Sequence, residues 1–208
     1  MRIGLVMLAL LALAGRAWAV PTVRGATGLV VIPSAQLQEG AAFFTTDGKV
    51  ATAGEKVFSA VEGGVLSRDG RTFYDGKLQV LPDITSEDEW IPGVAVGLRG
   101  VSSTNEKRDY YFVLQKKFSY PDVTVVYGMD KMASWKLGHF KSFFGAEVPL
   151  FAGFTVLADH EAQLGTTNVG VRWVYNKTFG FYDYLEDARG KGPDAKKNTV
   201  GACYQKKF

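Results

Sequence analysis

The stretch "LADHEAQ" sets Asp159, His160 and Glu161 side by side, the residue types from which a general base and its orienting acid are built. Such a base also needs a nucleophile or a water within hydrogen-bond reach. In an extended strand neighbouring side chains leave on opposite faces, so His160 points away from both carboxylates and the triplet makes no dyad by itself. His160 is expected at a rim or an interface, and His139 in "KLGHFKS" is a weaker candidate still. "TSEDEW" gathers Glu87, Asp88 and Glu89, which could bind a cation or act on a glycosidic bond, but a solvated acidic loop is the simpler reading. No CxxC, HExxH or paired-histidine spacing marks a metal centre. Cys203 is the only cysteine, so it cannot form an internal disulfide, and nothing around it marks a reactive thiol. The expectation is a chain without catalytic residues, metal or cofactor.

The elements that carry these residues repeat with a period of two. "PGVAVGLRG" puts Val94, Val96 and Leu98 on one face and Ala95, Gly97 and Arg99 on the other. "DVTVVYGMD" and "TTNVGVRWVYN" do the same, and in "DYYFVLQKKF" Tyr110, Phe112, Leu114 and Phe118 oppose Gln115 and Lys117. Short clusters of Gly, Pro, Asp and Asn near Asp47, Arg68, Ser119, Asn176 and Ala188 separate the runs and make successive strands antiparallel neighbours. These signals count to about ten to twelve strands, with no 3.6-residue periodicity after the N-terminal segment. "SAQLQEG" could hold a short helical turn, and "AAFFTTDGKVATAGEKVF" reads as one bent strand or two.

The N-terminal 19 residues, "MRIGLVMLALLALAGRAWA", combine basic Arg2, an apolar run and a small-x-small ending, the pattern of a cleaved signal peptide. The remainder, 20–208, reads as a single domain. Loss of Arg2 and Arg16 takes the net charge from +3 to +1, which gives no warrant for a nucleic-acid partner.

An exported antiparallel chain is either a soluble periplasmic, lipocalin-like ligand-binding barrel or a barrel in the outer membrane. Three features favour the second. Arg99 and Arg172 share their faces with Gly, Ala or Val, a mixture suited to a hydrated lumen. Trp90, Tyr110, Tyr175, Phe179 and Phe181 sit near strand ends, where aromatic girdles would lie. The last strand alternates Val200, Ala202 and Tyr204 before a final Phe208, which resembles the terminal signal that barrel-assembly machinery reads, with Lys206 where that signal usually has an apolar residue. If Lys77, Arg99 and Arg172 face inward they need acidic partners such as Glu62, Asp75 or Glu147, because unpaired charges in a narrow lumen are costly. The reading is an all-β, antiparallel, up-and-down transmembrane barrel whose closing strand pairs with an opening one around "TGLVVIP", ended by Pro33.

Four segments in order also resemble the YjbH-like exopolysaccharide-associated outer-membrane proteins. "GATGLVVIPSAQLQEG" carries the match through Thr27, Gly28, Leu29, Pro33, Ser34, Ala35 and Gly40. "YDGKLQVLPD" with "WIPGVAVGLRGV" carries it through Asp75, Lys77, Pro92, Ala95, Val96, Gly97 and Leu98; "DYYFVLQKKF" resembles that family's next strand. "TVLADHEAQLGTTNVGVRW" adds Glu161, Asn168, Gly170 and Val171. The resemblance implies a single short barrel unit of the outer membrane, a structural or accessory role in exopolysaccharide production or export, and lipid, assembly machinery and export components as partners. It implies no catalysis.

Overall fold

The computed structural model describes residues 33–35, 41–45, 50–68, 70–82, 90–101, 109–132, 140–176, 178–190 and 196–205. The expected signal peptide, residues 20–32, His139, Glu87–Glu89, most of "SAQLQEG", Lys206 and Phe208 lie outside them.

Among the described residues twelve strands run up and down in chain order: β1 (Ala41–Thr45), β2 (Val50–Phe58), β3 (Val61–Arg68), β4 (Arg71–Leu81), β5 (Gly93–Val101), β6 (Asp109–Ser119), β7 (Asp122–Met132), β8 (Phe140–Pro149), β9 (Phe154–Glu161), β10 (Thr166–Asn176), β11 (Phe179–Glu186) and β12 (Lys197–Gln205). Each pairs antiparallel with its sequence neighbours, and β1 pairs with β12 to close the barrel. Closure removes both sheet edges. The alternating runs in 93–101, 109–119, 122–132 and 166–176 become β5, β6, β7 and β10, and the ambiguous "AAFFTTDGKVATAGEKVF" divides into β1 and β2.

The closing contact differs from the expected one. The partner of β12 is not the segment around "TGLVVIP" but β1, with Ala41 opposite Gln205 and Thr45 opposite Gly201. Pro33, Ser34 and Ala35 instead lie buried inside the barrel, held by lumen side chains. Residues 27–32 of that segment lie outside the described residues.

The wall is apolar outside and polar inside. On β7, Val125, Tyr127 and Met129 face outward and are about two-fifths exposed, while Thr124, Val126 and Asp130 are buried inward. On β10, Val169 and Val171 face outward, while Asn168 and Arg172 are 3% and 2% exposed. A soluble barrel would reverse this arrangement; a membrane barrel requires it. Four strands, β4, β6, β7 and β10, have 11 residues. At about 3.3 Å per residue and a tilt near 45°, such strands cross roughly 25 Å, the height of an outer-membrane apolar band.

The two rims differ. Of the connections after even-numbered strands, which share one rim, those after β2, β6, β8 and β10 are short and the one after β4 runs from 82 to 92; the connections after odd-numbered strands share the other rim, short after β1, β3 and β9 and longer after β5, β7 and β11. Aromatic side chains concentrate on the outer wall at the first of these rims. Trp90 meets Phe118 at 6.0 Å between ring centroids, Trp173 stacks between Phe154 at 5.7 Å and Phe181 at 5.9 Å, and Phe179 meets Tyr204 at 5.3 Å. Rings with a polar edge suit the boundary between lipid and water.

Candidate functional site: the barrel lumen

The lumen is built on alternation plus register. Each strand sends every second side chain inward, and antiparallel pairing then decides which of them meet. Glu62 on β3 lies directly opposite Lys77 on β4, and their side chains form an ion pair of 3.0 Å. Two further buried pairs among the described residues reach over an intervening strand. Arg99 on β5 crosses β6 to Asp130 on β7 at 2.6 Å, and also stands 3.8 Å from Asp109 on β6. Arg172 on β10 crosses β9 to Glu147 on β8 at 2.9 Å. All six of these paired lumen residues are buried, at 2–6% exposure. Pairing answers the desolvation that would otherwise make each charge very costly.

All six residues expected to form the lumen network, Glu62, Asp75, Lys77, Arg99, Glu147 and Arg172, fall on inward positions. Asp75 plays a different part from the others: its Oδ1 accepts the backbone N–H of Gly100 at 2.9 Å. Asp130 is the member that local reading misses. It shares the polar face of "DVTVVYGMD" with Thr124, so its parity is visible in the sequence, but its meeting with Arg99 depends on the register of two strand pairs.

A second set of polar groups lines the β9–β12 wall. Asn168 donates to Asp159 Oδ1 at 2.6 Å and accepts the backbone N–H of Asp187 at 2.8 Å. The Thr199 hydroxyl donates to Glu186 at 2.8 Å, and Thr166 to Glu161 at 3.3 Å. Tyr182 and Cys203 share a hydrogen bond of 3.0 Å, which places the thiol deep in the lumen.

Lumen rings lie flat over glycine. Gly97 is opposite Tyr111, and Gly170 is opposite Tyr184; a Cβ at either glycine would overlap the facing ring. Gly128 and Phe143 repeat the arrangement. Absence of a side chain on one strand makes room for a large one on the next, which answers why these glycines interrupt good strand sequences.

The Asp159–His160–Glu161 triplet does not assemble. Both carboxylates are buried inward, while His160 is on the outer wall, with Nδ1 2.9 Å from the Thr167 hydroxyl and its ring 5.1 Å from Phe144. Among the described residues no cluster of three or more His, Cys, Asp or Glu could hold a metal ion. Val200, Ala202 and Tyr204 share the outward face of β12, with Val200 and Tyr204 exposed and Ala202 partly buried.

No family model and no curated protein matches the chain. Two solved structures do. The chain is similar to a KdgM porin, with 12% identity and a TM-score of 0.53 over 81% of this chain and 98% of that one. A KdgM porin in complex with disordered oligogalacturonate matches over the same shares with 10% identity and a TM-score of 0.53. At such low identity the likeness speaks for the architecture, and this chain has the fold of an antiparallel transmembrane β-barrel.

Proposed function

We propose that this chain is an outer-membrane barrel that handles hydrophilic saccharide at the cell envelope, through a lumen constricted by its own side chains. The observation that carries this reading is the inverted polarity of the wall: exposed Val125, Val171 and Phe144 outside, ion-paired Arg172, Glu147, Arg99 and Asp130 inside. The lumen is rich in amide, hydroxyl and carboxylate groups, the partners that sugar hydroxyls need. One of the two similar porins is in complex with oligogalacturonate, and this, together with the resemblance to exopolysaccharide-associated proteins, supports saccharide as the solute class. An accessory role in exopolysaccharide production or export follows from the same reading, with assembly machinery inserting the barrel into lipid. The rim after even-numbered strands then faces the periplasm, and the rim with the longer connections after β5, β7 and β11 faces outward.

Fractionation and electrophysiology test this together. The chain should be recovered in the outer-membrane fraction, migrate differently on gels when unheated, and give small or brief conductance steps in a planar bilayer. Recovery from the detergent-free soluble fraction would overturn the location. A large, permanently open channel would overturn the constriction. Deletion of the gene should alter surface glycan export while leaving general envelope integrity intact.

A further inference from the structure

The segment inside the barrel is gripped in a specific way. The Ser34 C=O accepts from Lys77 Nζ at 3.4 Å, and the Ala35 N–H donates to Gln115 Oε1 at 3.0 Å. Those two groups belong to one peptide bond, so a single secondary amide is held from both sides. The next carbonyl, of Ala35, accepts from Gln79 Nε2 at 2.9 Å. Lys77 and Gln79 come from β4 and Gln115 from β6, while β5 between them turns Gly93, Ala95 and Gly97 inward and forms a low floor. Glu62 fixes the Lys77 ammonium at 3.0 Å, so the donor is positioned before anything binds.

The same wall offers more than the segment uses. Gln115 Nε2, Tyr111 Oη and Thr124 Oγ1 have no hydrogen-bond partner among the described residues, although these residues are only 1%, 4% and 4% exposed. Buried polar atoms are normally satisfied, so each is a place where a polar ligand gains a bond at little further desolvation.

We propose that Lys77, Gln79 and Gln115 form a secondary-amide site in the lumen, occupied at rest by the Ser34–Ala35 peptide and open to competition from the acetamido group of an N-acetylated sugar. An acetamido group presents the same C=O and N–H as a peptide bond, with sugar hydroxyls beside it for Tyr111, Thr124 and the Gln115 amide. A uronate lacks the N–H that Gln115 Oε1 accepts, and its carboxylate would meet a Lys77 ammonium whose charge Glu62 already balances at 3.0 Å. Sites built around a donor reject analogues without it far more strongly than apolar pockets reject a missing methylene. The proposal rests on the saccharide reading and narrows its substrate class.

Thiol accessibility of an Ala35→Cys chain tests the site without relying on conductance. The purified barrel, its folding checked by heat-modifiable migration, is treated with an impermeant maleimide, and the unsubstituted chain controls for Cys203. Labelling should be slow at rest, accelerate about fivefold or more with N,N′-diacetylchitobiose, and stay unchanged with cellobiose or with oligogalacturonate. Gln115→Leu should raise the resting rate about tenfold, the factor expected for one lost hydrogen bond, and remove the response to the acetylated sugar. A resting rate equal to that of an exposed cysteine would overturn the occupancy. Equal effects of all three sugars, or none from any, would overturn the amide site. If Ala35→Cys does not fold, Ser34→Cys reports on the same peptide. Failure of the functional reading would show separately, as loss of the outer-membrane location.

Discussion

Removing Arg172 should damage the barrel more than removing Arg172 and Glu147 together. The two side chains are 3% and 7% exposed and 2.9 Å apart, and they span the inner face of β9. At an effective dielectric near 20, charges at that distance attract by about 6 kcal/mol, most of which offsets the desolvation of two buried ions. Arg172→Met therefore strands Glu147 in the lumen and should lower unfolding free energy by about 3–5 kcal/mol. Arg172→Met with Glu147→Leu removes both desolvation penalties and should return to within about 2 kcal/mol of the parent, since apolar replacement of a buried pair is often near neutral. Guanidinium titration of the barrel in lipid vesicles, followed by tryptophan fluorescence and by gel migration, reads all three proteins and the Glu147→Leu single variant. The reasoning fails if the double variant loses as much as the two single variants summed, because additive losses would mean that the two charges do not sense each other.

Two further perturbations probe the wall. Gly170→Ala places a methyl into the Tyr184 ring and should cost about 1–3 kcal/mol in the same titration, and Tyr184→Ala in that background should recover part of the loss. Val171→Arg puts a charge on the outer face of β10 and should cost about 2–4 kcal/mol or block insertion into vesicles; little effect would mean that this face does not meet lipid.

The architecture is largely written in the period of two, because a barrel wall with unlike faces forces alternation along every strand. "PGVAVGLRG" carries it without a break, and β5 covers Gly93–Val101. The short polar clusters near Arg68, Ser119 and Asn176 likewise stand between consecutive strands. What local pattern does not carry is meeting across strands. Arg99 and Asp130 are 31 residues apart and touch only because β5, β6 and β7 hold a given register. Ser34 and Ala35 lie in the lumen for a related reason. "TGLVVIPSA" has strand composition, and composition does not say whether backbone groups will be satisfied by a neighbouring strand or, as for Ser34 and Ala35, by side chains in a lumen.

Barrel diameter explains why a piece of chain belongs inside. Eight strands enclose a space that side chains alone can fill, and diameter grows roughly in proportion to strand number, so twelve strands leave a gap about half as wide again. The lumen closes that gap differently on different walls. Along β5–β7 and β8–β11, long side chains reach over whole strands, as Arg99 and Arg172 do, and rings lie flat on facing glycines. At β5 the inward residues Gly93 and Ala95 are too small to reach anything. That is where Ser34 and Ala35 lie, bonded to the longer side chains on either side. A wall this low would leave Lys77, Gln79 and Gln115 facing open space, so the small floor and its polar flanks make sense as a seat for the Ser34–Ala35 peptide.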